Sequence, residues 1–379
     1  FGSCGGCAWQ DLSYERQLHY KTKQVGDCME RLAGLPDVKV HETIPAPDQF
    51  RYRNKMEFSF HTADDDSFTL GLHRKGAFDE VFDLKACYLQ SELANEIVAT
   101  VRQFVRDHSL PVYDVVKHTG YARFLVIRET TFTDQVMVNF VTNYGEFENS
   151  DELVAALTAL SPRITTIVHN QNGQKSNIAT GEIEKVLFGS GSIQEKILGK
   201  VFRIKANSFF QTNSAQTENL YRTAFDMLSL GGDDRVLDLY CGTGPIGILL
   251  SERVKEVVGV ELVTDAVIMA RENAAANDVS NITFIEANVV EYLRNQVPEG
   301  DPFDAVVIDP PRAGMHPKAL RRIKEMKPPR ILYISCNPAT FARDAKELVA
   351  IGYELPEVRP IDMFPHTRHI ELVSVFSQS

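Results

Sequence analysis

The stretch RVLDLYCGTGPIG, residues 235–247, decides how this chain is read. An apolar run that breaks into glycines reads as a strand turning into a helix, and Gly242, Gly244 and Gly247 formally make G-x-G-x-x-G. An acid, Asp238, lies in the strand end ahead of the glycines, and Glu261 closes the next apolar run. A nicotinamide site carries a similar acid after its second strand, where it holds ribose hydroxyls. A dinucleotide loop, however, usually runs from an apolar strand straight into its first glycine, to bring a helix N-terminus onto a pyrophosphate. An anion at that point repels pyrophosphate and tolerates a sulfonium that carries an ammonium group. The segment therefore favours S-adenosylmethionine, with a nicotinamide dinucleotide as the alternative.

Outward from this stretch, short apolar runs (residues 235–239, 257–260, 282–285, 305–308 and 331–334) alternate with segments fit for helices. That alternation predicts a parallel sheet wrapped by helices, with ligands at the carboxyl ends of its strands. Upstream of about residue 206 the pattern differs. Residues 14–35 read as a helix with Leu18, Val25, Met29 and Leu32 on one side. Residues 50–84 turn strand-like in RYRNKMEFSF, SFTLGLHR and AFDEVFDL. A helix follows over 91–107, then further strands in YARFLVIRE, QVMVNFVTN, ITTIVHN and KVFRI. The fold expected is α/β: a Rossmann-like S-adenosylmethionine-dependent methyltransferase domain over 207–379, and a strand-rich α+β domain over 1–206.

Composition bounds the function. At 379 residues with 44% hydrophobic and 24% charged side chains, the chain has material for two or three cored domains, which excludes disulfide-stapled miniproteins and disordered tails. No apolar run approaches the ~18 residues of a membrane-spanning helix, and Phe1 opens no signal peptide. The expectation is a cytoplasmic protein without membrane or obligate protein partners. A net charge of −11 argues against coating nucleic acid at large but leaves room for a local basic patch. Two candidates are HPKALRRIKEMKPPR, residues 316–330, and Arg51, Arg53 and Lys55 in FRYRNKMEF. A solvated charged face is the alternative for both.

Two later strand ends carry chemistry. In IDPPR, residues 308–312, paired prolines fix the backbone and hold Asp309 at the sheet edge. In ILYISCNP, residues 331–338, Asn337 and Pro338 end the strand and expose the Cys336 thiol as a candidate nucleophile. The C-terminal DMFPHTRHIE sets His366, His369 and Glu371 close together. Two histidines and a carboxylate suit a metal, but the break at Pro365 and the strand-like IELVSVF argue against a helical ligand pair. Glu371 opens the last strand and points towards Cys336. A carboxylate beside a thiol suits a base acting on a carbon acid.

With these residues in place, the chain resembles the RNA uracil-5 (C5-uridine) methyltransferase family. The similar motifs are FFQTN (209–213), DLYCGTG (238–244), GVE (259–261), DPPR (309–312), SCNP (335–338) and DMFPHTRHIE (362–371), in the family's order. The resemblance implies that Cys336 is the nucleophile and Glu371 the base. It also implies that Gln211, Tyr240, Gly242, Glu261, Asn288 and Asp309 contact S-adenosylmethionine. Pro245 departs from the polar or small residue that relatives often carry there, and offers no N–H to a cofactor. By the same resemblance, residues 1–206 face RNA, and a helix over 11–40 packs on the catalytic domain.

FGSCGGCAWQ places Cys4 and Cys7 as C-x-x-C, with Cys87 remote. A second C-x-x-C for a zinc ribbon is lacking, and the start is no βαβ unit of thioredoxin type. Three cysteines better suit an iron–sulfur cluster short of one ligand. Some family members resemble this pattern, holding a [4Fe–4S] cluster on C-x5-C-x2-C and a distant cysteine, which implies Cys4, Cys7 and Cys87 as ligands. The fourth would lie upstream of Phe1, as would the small β-barrel RNA-binding module of many relatives, so the chain reads as trimmed. Cys28 and Cys241 read as packed residues. The function expected is methyl transfer to C5 of a uridine in structured RNA, with 23S ribosomal RNA ahead of the alternative, uridine 54 of transfer RNA. A rival of another class is a nicotinamide-dependent iron–sulfur oxidoreductase.

Overall fold

Helix α1 (Tyr14–Cys28) presents Gln17, Lys21 and Val25 at i, i+4 spacing, all buried, and Met29 continues the stripe. A π-helical turn (Met29–Ala33) follows and ends at Gly34, φ 71°. The wider turn advances the register by one residue, so Ala33 takes the core position and Leu32, expected on the buried side, is exposed. The computed structural model describes residues 2–62, 67–77, 80–175, 177–295, 297 and 303–378.

After β1 (Lys39–Val40) the chain builds a seven-stranded sheet. Its elements are β2 (Lys55–Thr62), β3 (Phe68–His73), β4 (Val81–Asp83), α2 (Glu92–Asp107), β5 (Ala122–Glu129), β6 (Val136–Thr142), α3 (Ser150–Leu160), β7 (Ile164–Gln171) and β8 (Ile183–Gly189). The strand order is β4-β3-β2-β5-β6-β7-β8. The pairs are antiparallel except β6 with β7, where α3 supplies the crossover a parallel pair requires. Of the strand expected over 77–84, β4 is formed, and Phe78 and Asp79 lie outside the described residues. Alternate residues of β2 and β5 (Met56, Phe58, Phe60; Leu125, Ile127) pack against Ile97, Val101 and Phe104 of α2. A hairpin of β9 (Ser192–Ile197) and β10 (Lys200–Lys205) follows.

Then come α4 (Ser214–Leu228), β11 (Arg235–Leu239), α5 (Pro245–Leu250), β12 (Glu256–Glu261), α6 (Thr264–Ala276), β13 (Ile282–Glu286), α7 (Val289–Asn295) and β14 (Ala305–Ile308). The chain finishes with α8 (Pro317–Met326), β15 (Arg330–Ser335), α9 (Pro338–Val349), β16 (Tyr353–Glu354), β17 (Glu357–Ile361) and β18 (Glu371–Gln378). These strands and β1 form a nine-stranded sheet ordered β1-β17-β18-β15-β14-β11-β12-β13, with β16 also on β18. Neighbours from β15 to β13 are parallel, as the alternation predicts, and helices on both faces explain their unbroken apolar runs. Strand β18 runs antiparallel to both β15 and β17. The chain reverses its direction of travel at β11, which lies between β12 and β14, so the carboxyl ends of β11 and β14 flank a topological switch point.

The chain forms two compact units. One comprises Phe1–Gln10, Asp48–Lys196 and Arg203–Ser214; the other comprises Asp11–Pro47, Ile197–Phe202 and Ala215–Ser379. Helix α1 and β1 belong to the α/β unit. There β1 pairs with β17, and Val25, Met29 and Ala33 join a core that includes Phe341, Ala345 and Leu348 of α9. Among the described residues no helix is long and apolar enough to cross a membrane.

Candidate active site

At the end of β11 the backbone enters the left-handed region at Tyr240 (φ 62°), Gly242 (φ 54°) and Gly244 (φ 83°). Gly244 has no room for a side chain, since a Cβ would stand 2.7 Å from the Phe284 ring. Pro245 is the first residue of α5, where a missing N–H costs nothing. Gly247, the third glycine of the formal motif, lies inside α5. A Cβ there would meet Ile282 at 2.8 Å and Asp238 Oδ2 at 3.0 Å, so this glycine lets the helix close on the buried carboxylate. Glu261 clasps the same loop from the end of β12. Its Oε2 accepts the Gly242 N–H at 3.1 Å, and its Oε1 accepts the N–H groups of Leu262 and Val263 at 2.7 and 2.9 Å.

Along the carboxyl edge, Glu371, Cys336, Asp309, Asp238 and Glu261 follow the spatial order β18-β15-β14-β11-β12. Asp238 is wholly buried. Neither of its oxygens has a well-formed hydrogen bond, though the Gly247 amide helps it, and burial and the neighbouring Asp309 push it up to about 8. Asp309, half-buried after β14, is pushed up to about 7 by desolvation. Carboxyls held this way are destabilised as anions until a cation arrives. The donor set therefore fits S-adenosylmethionine, which carries both a sulfonium and an ammonium.

The pairing of β15 with β18 sets Ser335 against Leu372. One step further in that register places Cys336 opposite Glu371. Burial pushes the Cys336 thiol up to about 11; Glu371 and then Asp309 add to the rise, and Arg312 opposes it. Glu371 is held well above the carboxylate range by burial and by Asp309. Asn337 caps α9 by accepting the Ala339 N–H at 3.1 Å, and its Nδ2 donates to the Arg312 carbonyl at 3.2 Å. The SCNP and DPPR loops are thereby tied together.

Other expected cofactor residues are placed differently. Asn288 is exposed and caps α7, accepting the Val290 N–H at 2.9 Å. Burial pushes the Tyr240 phenol up to about 12, with the His316 backbone as its hydrogen-bond partner. Gln211 belongs to the strand-rich unit. The 316–330 cluster is largely ion-paired: Arg321 and Arg322 with Glu325, Lys324 with Glu347, and Arg330 with Asp234. Arg51 pairs with Glu92 and Lys55 with Glu57. Local neutralisation of this kind fits the solvated-face alternative.

In the strand-rich unit the Cys4 backbone pairs with Arg74 beside β3, and Cys4 lies near enough to raise both Cys7 and Cys87. Burial, then Cys87, pushes Cys7 up to about 11. Yet among the described residues no group of three or more His, Cys, Asp or Glu side chains is disposed to hold a metal ion. The thiols are the right donors for a [4Fe–4S] cluster, but among the described residues they are not arranged as a ligand group. The cluster expectation thus finds no support here. The same holds for metal on His366 and His369. His366 is buried against Gln17, and the His369 ring lies edge-on to Phe364 at 5.9 Å. Cys28 packs on the α/β core, and Cys241 is buried beneath the glycine loop.

Sequence reasoning missed Tyr221 of α4, a fully buried phenol whose ionisation is opposed by burial and then by Asp309, Asp238 and Glu371. Nothing in its surroundings in sequence marks it. Gln17 and Lys21 were also passed over, although two polar residues in line with Val25 and Met29 signal a buried partner.

A family model described as tRNA (uracil-5-)-methyltransferase matches residues 13–378. An uncharacterized RNA methyltransferase of Chlorobaculum tepidum is 41% identical over 397 residues, covering 100% of this chain and 82% of that protein. Another, from Caldanaerobacter subterraneus subsp. tengcongensis, is 39% identical over 381 residues, covering 100% and 84%. Among solved structures, the Pyrococcus abyssi tRNA (uracil-54, C5)-methyltransferase in complex with S-adenosyl-L-homocysteine is 33% identical with a TM-score of 0.80, over 98% of this chain and 85% of that one. Because the likeness spans both units and not the glycine loop alone, the chain belongs to the tRNA (uracil-5-)-methyltransferase family.

Proposed function

We propose that the protein transfers a methyl group from S-adenosylmethionine to C5 of a uridine in structured RNA, through a covalent bond between Cys336 and C6 of the base. The observation that carries this is Cys336 opposite Glu371 on the edge that also holds Asp309 and Asp238. Uracil C5 is too weak a nucleophile to attack a methyl sulfonium unaided. Addition of the Cys336 thiolate to C6 makes an enolate and concentrates charge at C5. Bound S-adenosylmethionine supplies an electrophilic methyl, which C5 takes. Glu371 then removes the C5 proton, the C6–S bond breaks, and the thiolate leaves as the C5–C6 double bond returns. A uridine stacked in a helix cannot offer its C6 face, so the target is unpaired or flipped out.

The nicotinamide alternative leaves Cys336 and Glu371 without a task. On substrate, the motif pattern favours 23S ribosomal RNA, while the 33% identity to a transfer-RNA uracil-54 enzyme favours transfer RNA as a second reading. No step involves a metal.

The test is RNA transcribed with 5-fluorouridine, incubated with protein and S-adenosylmethionine. Fluorine at C5 cannot leave as a proton, so the adduct should persist as a denaturation-resistant band that needs the cofactor and disappears in Cys336→Ala. Absence of a band with both ribosomal and transfer RNA transcripts would refute the covalent route. Which RNA gives the band decides between the two substrates.

A further inference from the structure

The segment that delivers Glu371 is a nine-residue hairpin loop between β17 and β18, closed by the pair Ile361 and Glu371. Helix α1, more than 300 residues earlier, holds it. Lys21 Nζ donates to Asp362 Oδ1 and, at 3.1 Å, to the Phe364 carbonyl. The same Asp362 oxygen accepts the Phe364 N–H at 3.1 Å, so one carboxylate shapes the turn and meets the lysine. Both side chains of the pair are 0% exposed. One turn earlier on α1, Gln17 Oε1 accepts the His366 N–H at 2.8 Å, and its Nε2 lies 3.1 Å from His366 Nδ1. His366 has φ 67°, a left-handed conformation that a β-carbon opposes and that a fixed partner must hold. Ile44 adds a tie, its carbonyl accepting the Asp362 N–H at 2.9 Å, and the Tyr14 phenol of α1 also hydrogen-bonds the Asp362 carboxylate.

The loop is itself mostly buried, with only Arg368 and His369 exposed, so apolar packing could hold it without an ion pair. Two polar residues stand in a helix stripe otherwise made of Val25, Met29 and Ala33, and both reach the loop that ends at Glu371. We propose that Gln17 and Lys21 are positioning residues for the base: by fixing the 362–370 loop they set where the Glu371 carboxyl stands relative to Cys336. The proposal rests on the reading of Glu371 as the base. The base acts after methyl transfer, so loosening the loop impairs elimination of the methylated adduct and leaves its formation alone.

The experiment uses Gln17→Met, which keeps the volume and removes both contacts to His366. It is measured beside the parent protein and Glu371→Gln with unmodified RNA. The expected result is cofactor binding and adduct formation at the parent rate, turnover lower by about 10- to 100-fold, and accumulation of a methylated, denaturation-resistant adduct. Turnover at the parent rate would overturn the proposal. So would cofactor binding, adduct formation and turnover falling in parallel, because that is the signature of a merely structural role. Lys21→Met is a second probe, read only where its thermal melt and cofactor binding show a folded unit, with the same adduct expected. Glu371→Gln separates the failures. If it traps no adduct, the base assignment itself falls and the proposal with it. If it does while Gln17→Met behaves as the parent, only the proposal falls.

Discussion

Glu371 stands opposite Cys336 because β15 and β18 pair Ser335 with Leu372, and the Glu371 carboxyl adds to the burial that makes the thiol harder to ionise. The thiol is pushed up to about 11, and burial with Asp309 raises the carboxyl as well, so neither group is readily charged beside the other. In the free protein Cys336 is therefore a thiol at neutral pH. Alkylation of Cys336 by iodoacetamide, followed on its own peptide by mass spectrometry, should be slow at pH 7 and rise by about tenfold per pH unit towards 9. Glu371→Gln should react faster at every pH. A rate that is already flat at pH 7 would contradict this account.

Among the described residues, Arg312 is the cation that lowers the Cys336 thiol. It is exposed, so water screens its effect and the expected consequence is small. Arg312→Ala should slow formation of the RNA adduct by about three- to tenfold at pH 7.5. Raising the pH should recover much of that loss, because the thiolate fraction and not the site geometry has changed. A loss unchanged by pH would instead assign Arg312 to RNA contact.

Asp309 and Asp238, raised to about 7 and about 8, must lose protons to meet a cation. Below neutrality the folded protein holds those protons and binding S-adenosylmethionine expels them. Affinity should therefore climb as pH rises from 6 to 7.5. Calorimetry at pH 7 in buffers of different ionisation enthalpy should register proton release. S-adenosylhomocysteine, which lacks the sulfonium charge, should release fewer. Equal release by both ligands would remove the sulfonium from the argument.

Much of the α/β unit was legible in its sequence because its signals are local. A strand buried on both faces reads as an apolar run, and a strand-to-helix turn needs glycines where φ is positive, as at Gly242 and Gly244. The place of Cys336 just past the end of β15 was legible because Asn337 and Pro338 end the strand. Lys21 and Asp362 were not, since they lie 341 residues apart and only the fold brings them together. The cap that Asn288 makes on α7 is local, but it too went unread, because a motif likeness draws attention to a ligand and away from the backbone. The cluster expectation gains no support because C-x-x-C spacing records which thiols are near, while a metal also requires an arrangement that the described residues do not show.

Gly244 tests the loop by packing alone. A Cβ there would stand 2.7 Å from the Phe284 ring in a left-handed backbone, so both space and conformation oppose it. Gly244→Ala should lower stability by about 1–3 kcal/mol and weaken cofactor binding, measured by denaturant melts with and without ligand. A variant as stable as the parent would mean that the loop shifts freely.

Asp238 should trade stability for binding. Its folded value of about 8 lies above the ordinary 3.8, so the folded state holds a proton that the unfolded chain gives up. The stability this contributes is complete below pH 4 and is lost as pH rises through 8, on the order of 5 kcal/mol for a group so buried. The cofactor-free protein should therefore melt at progressively lower temperature from pH 6 to 9. Asp238→Asn cannot ionise, so its melting temperature should fall less steeply and exceed the parent's at pH 8.5, by about 1–2 kcal/mol in stability. The same change removes an anion from the cofactor edge and should weaken S-adenosylmethionine binding by about 10- to 100-fold. If the variant is more stable and binds as tightly as the parent, Asp238 is a buried structural acid and the cation site lies elsewhere on the edge. If it is less stable, the Gly247 contact outweighs the cost of burying the charge.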